Sequence, residues 1–219
     1  PSEVLLVGNH DLKPEEVYAF ELGARWEPNA TLSFDLATFT SRYPRANTFE
    51  STQPGLSFDE SGRPFVQVPL VQSSFGQETT YGGELVTSWQ AADCWRLQGW
   101  YSYLGIDASI DSRSSDQSLA TSSGGNAVNQ FMLRSLMELP HGLEFDSALR
   151  YVDSLSKYDI AGYVDLDLRV GYQVSKALEL SLIGVGLLHH QHREYQSEFL
   201  AISPAEIRRS IFGRVKFTF

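Results

Sequence analysis

The stretch "GYVDLDLRVGY" (162–172) decides the fold class. Apolar residues occupy every second position, and the residues between them are mostly polar or charged. A helix repeats about every 3.6 residues and would scatter the charges around its surface, whereas a strand places alternate side chains on opposite faces. The stretch therefore predicts a strand with an apolar face of Val164, Leu166, Leu168, Val170 and Tyr172 and a second face of Tyr163, Asp165, Asp167, Arg169 and Gly171.

The same alternation recurs along the chain and predicts an all-β protein. The predicted strands, about nine in all, cover roughly 16–27, 30–43, 65–90, 95–107, 128–139, 142–153, 162–174, 177–189 and 207–219. Short connections alternate with long polar ones, and the short ones lie at 27–30, 91–94, 140–142 and 174–176. Among the long connections, the Ser-, Asp- and Gly-rich segment 108–125 is predicted to be a mobile loop. Short turns at one end and long loops at the other are typical of an antiparallel transmembrane β-barrel.

Composition limits the classes of protein and of binding partner that fit this sequence. The formal net charge of −10 disfavours a nucleic-acid partner, because phosphate backbones require clustered Lys and Arg. No stretch approaches the roughly 18 apolar residues of a membrane helix, which excludes only helical membrane proteins. The single Cys94 cannot form an internal disulfide. A soluble β-sandwich or β-rich enzyme domain also alternates, but strands of this predicted length are long for a sandwich, where about five or six residues are usual.

Five motifs then resemble, in order, those of TonB-dependent outer-membrane receptors. They are "GNHDLKPEEVYAFELGARW" (8–26), "YGGELVTSWQ" (81–90), "FMLRSLMELPHGLEFDSALRYVDSL" (131–155), "YVDLDLRVGYQVSKALELSLIG" (163–184) and "EIRRSIFGRVKFTF" (206–219). Each motif alone is weak because barrels share alternation, but five in register are specific. One departure lies at 184–189, where the Gln and Asn common in the family are replaced.

This resemblance implies the carboxy-terminal portion of a larger 22-stranded barrel in the outer membrane of a Gram-negative bacterium. Residues 1–219 would form one barrel portion. No segment resembles the family's plug or TonB box, and about nine is an odd number of strands, so we expect the other strands and the plug to lie elsewhere.

The resemblance also implies a function: a receptor and transporter for a scarce ligand such as a ferric siderophore or a cobalamin-like compound, energised through TonB in the complete protein. It implies no enzymatic activity and no cofactor. The expected partners are outer-membrane lipid, the plug domain, the TonB complex, the barrel-assembly machinery and a small-molecule metal chelate. The alternative is a passive or structural barrel, such as a porin-like channel or a surface adhesion or phage-receptor barrel.

Charged residues on the polar face are the candidates for binding. Most are expected to form cross-strand ion pairs along a hydrated lumen. A few arginines could instead bind an anionic ligand through forked hydrogen bonds, and the candidates are Arg150, Arg134 and Arg169. Asp165 and Asp167 are two residues apart on the face that also carries Arg169, so ion pairing explains them better than acid–base catalysis. No catalytic residue is predicted.

Two further groups complete the predictions. The segment "LHHQHREYQSEF" (188–199) holds the weak metal-ligand candidates His190, His192 and Glu194, although no metal site is predicted. In an extended chain His190 and His192 share one side, and His189 lies on the other. The last strand ends in alternating apolar residues that resemble the signal read by the barrel-assembly machinery, and these are Phe219, Phe217 and Val215.

Overall fold

The computed structural model describes residues 2–116, 118–197, 204 and 206–218. These residues are mostly strand. The strands are β1 (Ser2–Val7), β2 (Tyr18–Asn29), β3 (Leu32–Ser51), β4 (Gly55–Phe58), β5 (Pro64–Ala92), β6 (Trp95–Ile110), β7 (Asn129–Leu139), β8 (Leu143–Val152), β9 (Tyr163–Ser175), β10 (Leu178–Val185), β11 (Gln191–Arg193), β12 (Glu206–Arg208) and β13 (Ser210–Phe217). Short 3₁₀ helices occupy Leu119–Gly125, Pro140–Gly142 and Ser156–Tyr158.

Nine of these strands form one continuous path in the order β13-β10-β9-β8-β7-β6-β5-β3-β2. They are the nine strands predicted from alternation, with ends that differ by up to eight residues. From β6 to β10, each strand pairs antiparallel with the next, and β10 pairs antiparallel with β13. Arg150 of β8, for example, lies opposite Asp165 of β9. Most strands pair with the strands that precede and follow them in the sequence, as expected for antiparallel strands joined by hairpins. The prediction of an antiparallel barrel sheet is confirmed.

The structure also contains strands that alternation did not predict. β1 and β4 both pair with β5, and β1 does so in parallel, from Ser2 opposite Val66 to Val7 opposite Val71. β11 and β12 form a separate two-stranded antiparallel sheet, so the predicted strand 207–219 is divided into β12 and β13. These elements are short, and "SEVLLV" carries no clear period-two pattern, so only their pairing partners define them as strands.

The burial pattern is the reverse of that in a water-soluble protein. Among the described residues only Ala46 and Ile160 are buried hydrophobic residues, whereas Leu22 is 75% exposed and Phe217 is 62% exposed. On the opposite face, Asp165 is 2% exposed. An apolar face left uncovered and a polar face partly buried are expected when lipid contacts one side of a barrel wall and the lumen lies on the other.

The chain divides into two compact units. The first comprises Pro1–Phe20, Phe39–Tyr81 and Gly105–Ser123, and it contains β1 and β4 together with the long-loop ends of the four longer strands β2, β3, β5 and β6. The second comprises Glu21–Thr38, Gly82–Leu104 and Gly124–Phe219. The second unit contains all four predicted short turns.

Within the first unit, the serine-rich segment is anchored to β3. The Glu50 carboxylate accepts hydrogen bonds from the Ser114 hydroxyl at 2.7 Å and from the Ser115 backbone N–H at 2.5 Å. The Asp116 carboxylate accepts one from the Phe49 backbone N–H at 2.8 Å. The sequence predicted a mobile loop here. The hydrogen bonds hold residues 114–116 against β3, and the mobility of the segment stays a prediction.

Candidate functional site

Two groups of charged side chains lie on the polar face of the second unit. The short-turn cluster consists of Glu144, Asp146, Arg169, Glu179, Arg214 and Lys216. The long-loop cluster consists of Arg150, Tyr163, Asp165, His189, His192 and Glu194. The names refer to the ends of the strands at which the clusters lie.

Arg169 is the centre of the short-turn cluster. Its guanidinium contacts Asp146 at 2.7 Å, Glu144 at 2.7 Å and Glu179 at 2.5 Å. The register explains the first contact, since Asp146 lies directly opposite Arg169 on β8. Gly171 permits the second, because a Cβ atom there would lie only 2.6 Å from Arg169 Nη2. The guanidinium thus lies across a glycine to bridge three strands.

Two further cations complete this cluster from the last strand. Arg214 lies 3.2 Å and Lys216 lies 3.7 Å from the Glu179 carboxylate. Glu179 therefore has three basic partners and is only 7% exposed. The predicted ladder of cross-strand ion pairs is present here, and such pairs hold neighbouring strands in register.

Glu194 is the centre of the long-loop cluster. Its Oε1 atom accepts a hydrogen bond from the Tyr163 hydroxyl at 2.8 Å and lies 2.9 Å from His192 Nε2. Arg150 Nη2 lies 4.0 Å from the same oxygen. Burial acts to raise the pKa of Glu194, but the hydrogen bonds from His192 and Tyr163 and the charge of Arg150 outweigh it and hold that pKa below the usual 4.5.

Aromatic contacts and unsatisfied polar atoms surround that carboxylate. The His192 ring lies 4.2 Å from the Tyr163 ring and 5.7 Å from the His189 ring. Asp165 Oδ2 and Arg150 Nε are buried, and neither has a hydrogen-bond partner among the described residues. These two side chains lie opposite each other on β8 and β9. Unsatisfied buried groups of opposite charge at one position, a donor on Arg150 and an acceptor on Asp165, mark a site that can form further hydrogen bonds.

The three candidate arginines have different environments. Arg150 belongs to the long-loop cluster, and Arg169 is engaged with three carboxylates. Arg134 is exposed, lies opposite Gln98 and Ala148, and forms no ion pair with a described residue. The structure therefore does not gather the three into one cluster, and their role in binding stays a prediction.

The histidines of segment 188–199 are not placed as they would be in an extended chain. His189, rather than the exposed His190, lies beside His192, because the chain turns at Gly186 with a φ of 67° instead of continuing as a strand. His189 Nε2 lies 2.9 Å from the Val164 carbonyl. Of the candidate metal ligands, His192 and Glu194 are in contact, but no three His, Cys, Asp or Glu side chains among the described residues are placed to hold a metal ion.

Sequence reasoning missed the roles of Tyr163 and His189 in this cluster. Alternation already placed Tyr163 on the same face as Asp165, so its position could have been recognised. The contribution of His189 depends on the turn at Gly186, which period-two patterning does not describe. Of the candidate assembly residues, Phe217 and Val215 are exposed on one face of β13, and Phe219 lies outside the described residues.

Comparison with known proteins identifies the family. The family model described as "TonB dependent receptor-like, beta-barrel" matches residues 3–186, which is most of the chain. The chain belongs to the TonB-dependent receptor-like β-barrel family. No curated protein sequence matches the chain significantly. No helix formed by the described residues is long and apolar enough to cross a membrane.

Solved structures of receptors and a transporter share the fold. The siderophore receptor PiuA from Acinetobacter baumannii has a TM-score of 0.68 at 20% identity, covering 94% of this chain and 29% of its own. The pyoverdine receptor FpvA from Pseudomonas aeruginosa PAO1, bound to pyoverdine, also has a TM-score of 0.68, at 17% identity, covering 95% of this chain and 30% of its own. The copper transporter OprC has a TM-score of 0.65 at 16% identity, covering 96% and 33%.

These comparisons establish the fold and the family. The TonB-dependent receptor-like chain spans about a third or less of the length of the solved structures that it matches. Identities of 20% or less carry no ligand from one protein to another. The family and these neighbours are receptors and transporters rather than enzymes.

Proposed function

We propose that this chain forms part of the wall of an outer-membrane receptor that imports a scarce ligand, such as a ferric siderophore or a cobalamin-like compound. The family supports a receptor barrel. The burial pattern supports a wall that contacts lipid with its apolar face. The outer membrane of a Gram-negative bacterium is the location that this function requires.

The proposal rests on the environment of Arg150, whose guanidinium is partly exposed and only weakly paired. Its side chain is 36% exposed. Within the part of the chain that the structure describes, its nearest carboxylate partner lies 4.0 Å away and its Nε atom has no hydrogen-bond partner. A guanidinium offers five N–H donors in a planar fork that matches carboxylate and other anionic oxygens. Arg150 therefore retains donors for an anionic ligand at the long-loop end of the polar face.

Arg134 offers a second positive charge on the same face. Met132 lies opposite Arg150, and Arg134 follows two residues later on the same strand, so both arginines project from the polar side. Arg169 contributes in another way, because its three ion pairs fix the strands that carry the site. We assign ligand contact to Arg150 first and to Arg134 second.

Transport in the complete protein would require further partners. A plug domain would close the lumen, and the TonB complex would supply energy from the inner membrane. The barrel-assembly machinery would insert the strands, and outer-membrane lipid would cover the apolar face. β2 and β13 lie at the two ends of the sheet path, which supports pairing with additional strands of a larger barrel.

The test uses the complete polypeptide that carries this chain, expressed in a bacterium lacking its own iron receptors. Growth under iron limitation on a panel of ferric chelates, and uptake of cobalamin, would identify the ligand. Arg150→Ala should reduce uptake while the amount of folded barrel in the outer membrane stays unchanged. Arg25→Ala is the matched control, since Arg25 is exposed beside a short turn and pairs with Glu27 at 2.8 Å.

The outcomes separate the receptor from a passive barrel. Uptake that requires TonB and falls in the Arg150 variant alone supports the proposal. Diffusion of many small solutes without TonB would instead favour a porin-like channel. Wild-type uptake in the Arg150 variant would remove Arg150 from the binding site.

A further inference from the structure

Glu194 occupies the position at which an anionic ligand would meet Arg150. Among the described residues this carboxylate is the nearest anion to the guanidinium, at 4.0 Å, and hydrogen bonds from Tyr163 and His192 hold it there. We propose that Glu194 is an internal competitor for Arg150, so that only ligands with enough negative charge displace it. This inference rests on the proposed function, because it assumes that Arg150 contacts the ligand.

Glu194 is held in place by groups on different elements. Tyr163 begins β9, His192 lies in β11, and Arg150 projects from β8. The His192 side chain is only 12% exposed, and its ring packs against the Tyr163 ring at an interplanar angle of 36°. The lowered pKa of Glu194 keeps the carboxylate ionised at neutral pH. The competitor is therefore a fixed negative charge and not a freely moving surface side chain.

The contact between Glu194 and Arg150 is nevertheless weak enough to be displaced. A separation of 4.0 Å is too long for a hydrogen bond, and both side chains are 36% exposed. An anionic ligand oxygen could approach the exposed part of the guanidinium to hydrogen-bond distance. Charge-assisted hydrogen bonds of that kind are stronger than an exposed ion pair without one. A neutral ligand would gain much less from the exchange.

Displacement would also affect the neighbouring two-stranded sheet. Glu194 directly follows β11, which pairs with β12 through His192 opposite Ile207. The Glu194 contacts thus link the β11–β12 sheet to strands β8 and β9. Loss of the Arg150 contact to a ligand would remove the link from Glu194 to β8 and leave its link to β9 through Tyr163. Ligand charge and the position of this sheet are therefore coupled through one carboxylate.

The experiment measures binding of two ferric chelates to the complete polypeptide in detergent. The probes are an anionic ferric tris-catecholate and a neutral ferric tris-hydroxamate of similar size. Glu194→Gln removes the charge and keeps the size and an acceptor oxygen. We expect affinity for the anionic chelate to rise about two- to fivefold, the range of an exposed ion pair, and affinity for the neutral chelate to stay unchanged.

Glu206→Gln is the matched control. It makes the same chemical change in the same two-stranded sheet, but Glu206 pairs with Arg193 at 3.9 Å and not with Arg150. It should leave both affinities unchanged. Arg150→Ala and the double variant with Glu194→Gln should bind the anionic chelate equally weakly, because the competition disappears with Arg150.

The results distinguish this inference from the proposed function. No gain in Glu194→Gln, an equal gain for both chelates, or an equal gain in Glu206→Gln overturns the competition. If Arg150→Ala weakens binding while Glu194→Gln has no effect, the receptor function stands and this inference fails. If Arg150→Ala has no effect on a chelate that binds, the assignment of Arg150 as a ligand contact fails as well.

Discussion

Replacing Arg169 with Met should destabilise the barrel wall more than replacing any other basic residue of the short-turn cluster. The change keeps an unbranched side chain over Gly171 but removes the charge that three carboxylates share. Each hydrogen bond to a charged group contributes about 1.5–3 kcal/mol, so three independent bonds would contribute an upper figure of about 4.5–9 kcal/mol.

The structure reduces this upper figure. Glu179 keeps Arg214 and Lys216 as partners, and water reaches Glu144 and Asp146, whose side chains are 35% and 27% exposed. Removing one member of a buried ion pair costs about 3–5 kcal/mol, and partial exposure lowers that cost. We therefore expect the free energy of unfolding to fall by about 2–4 kcal/mol.

The assay is urea unfolding of the complete polypeptide in phospholipid vesicles, followed by tryptophan fluorescence. The slope of unfolding free energy against urea should be unchanged, so that the shift in midpoint reports stability. Arg214→Met is the control. It loses one contact at 3.2 Å from a side chain that is 49% exposed, and it should cost at most about 1 kcal/mol.

A second variant tests the cause. Adding Glu144→Gln and Asp146→Asn to Arg169→Met removes the two carboxylates left without a cation, and it should recover about half of the lost stability. A loss for Arg169→Met no larger than that for Arg214→Met would refute the reasoning. Failure of the triple variant to recover would show that packing, and not uncompensated charge, sets the cost.

Three more predictions can be tested on the same polypeptide. Gly105→Ala should cost about 1–3 kcal/mol of unfolding free energy, because its Cβ would lie 2.5 Å from the Tyr81 ring, whereas Gly99→Ala, with no atom within 4 Å, should change it little. The pKa of Glu194 is lowered from 4.5 in the folded protein, so the ionised carboxylate stabilises the fold above pH 4.5, and this stabilisation is lost as the pH falls through the folded-state pKa. Hydrogen exchange corrected for intrinsic rates should show this loss of stability at low pH. Glu194→Gln should abolish the pH dependence. Phe217→Ala should reduce the folded fraction in the outer membrane, measured by heat-modifiable gel mobility, and wild-type levels would argue against an assembly role.

Sequence reasoning recovered the nine-strand path because each of those strands has one apolar and one polar face. Period-two alternation is a property of a single strand, so it needs no knowledge of the partner. β1 escaped prediction for the opposite reason, because "SEVLLV" is defined as a strand only by its parallel pairing with β5. Alternation predicted that Arg169 would form cross-strand ion pairs. It could not predict which three carboxylates Arg169 contacts, because that depends on the strand register and on Gly171.

The long-loop cluster shows where such reasoning reaches its limit. Arg150 and Asp165 follow from alternation and register, since strands fix both the face and the neighbour of each residue. Glu194 and His192 reach the same place through a turn at Gly186 and a separate two-stranded sheet. The strands of the barrel wall can therefore be predicted from alternation, whereas the position of Glu194 beside Arg150 depends on the conformation of a loop. In a receptor this division places stability in the strands and ligand selection in the loops, which can change without disturbing the barrel.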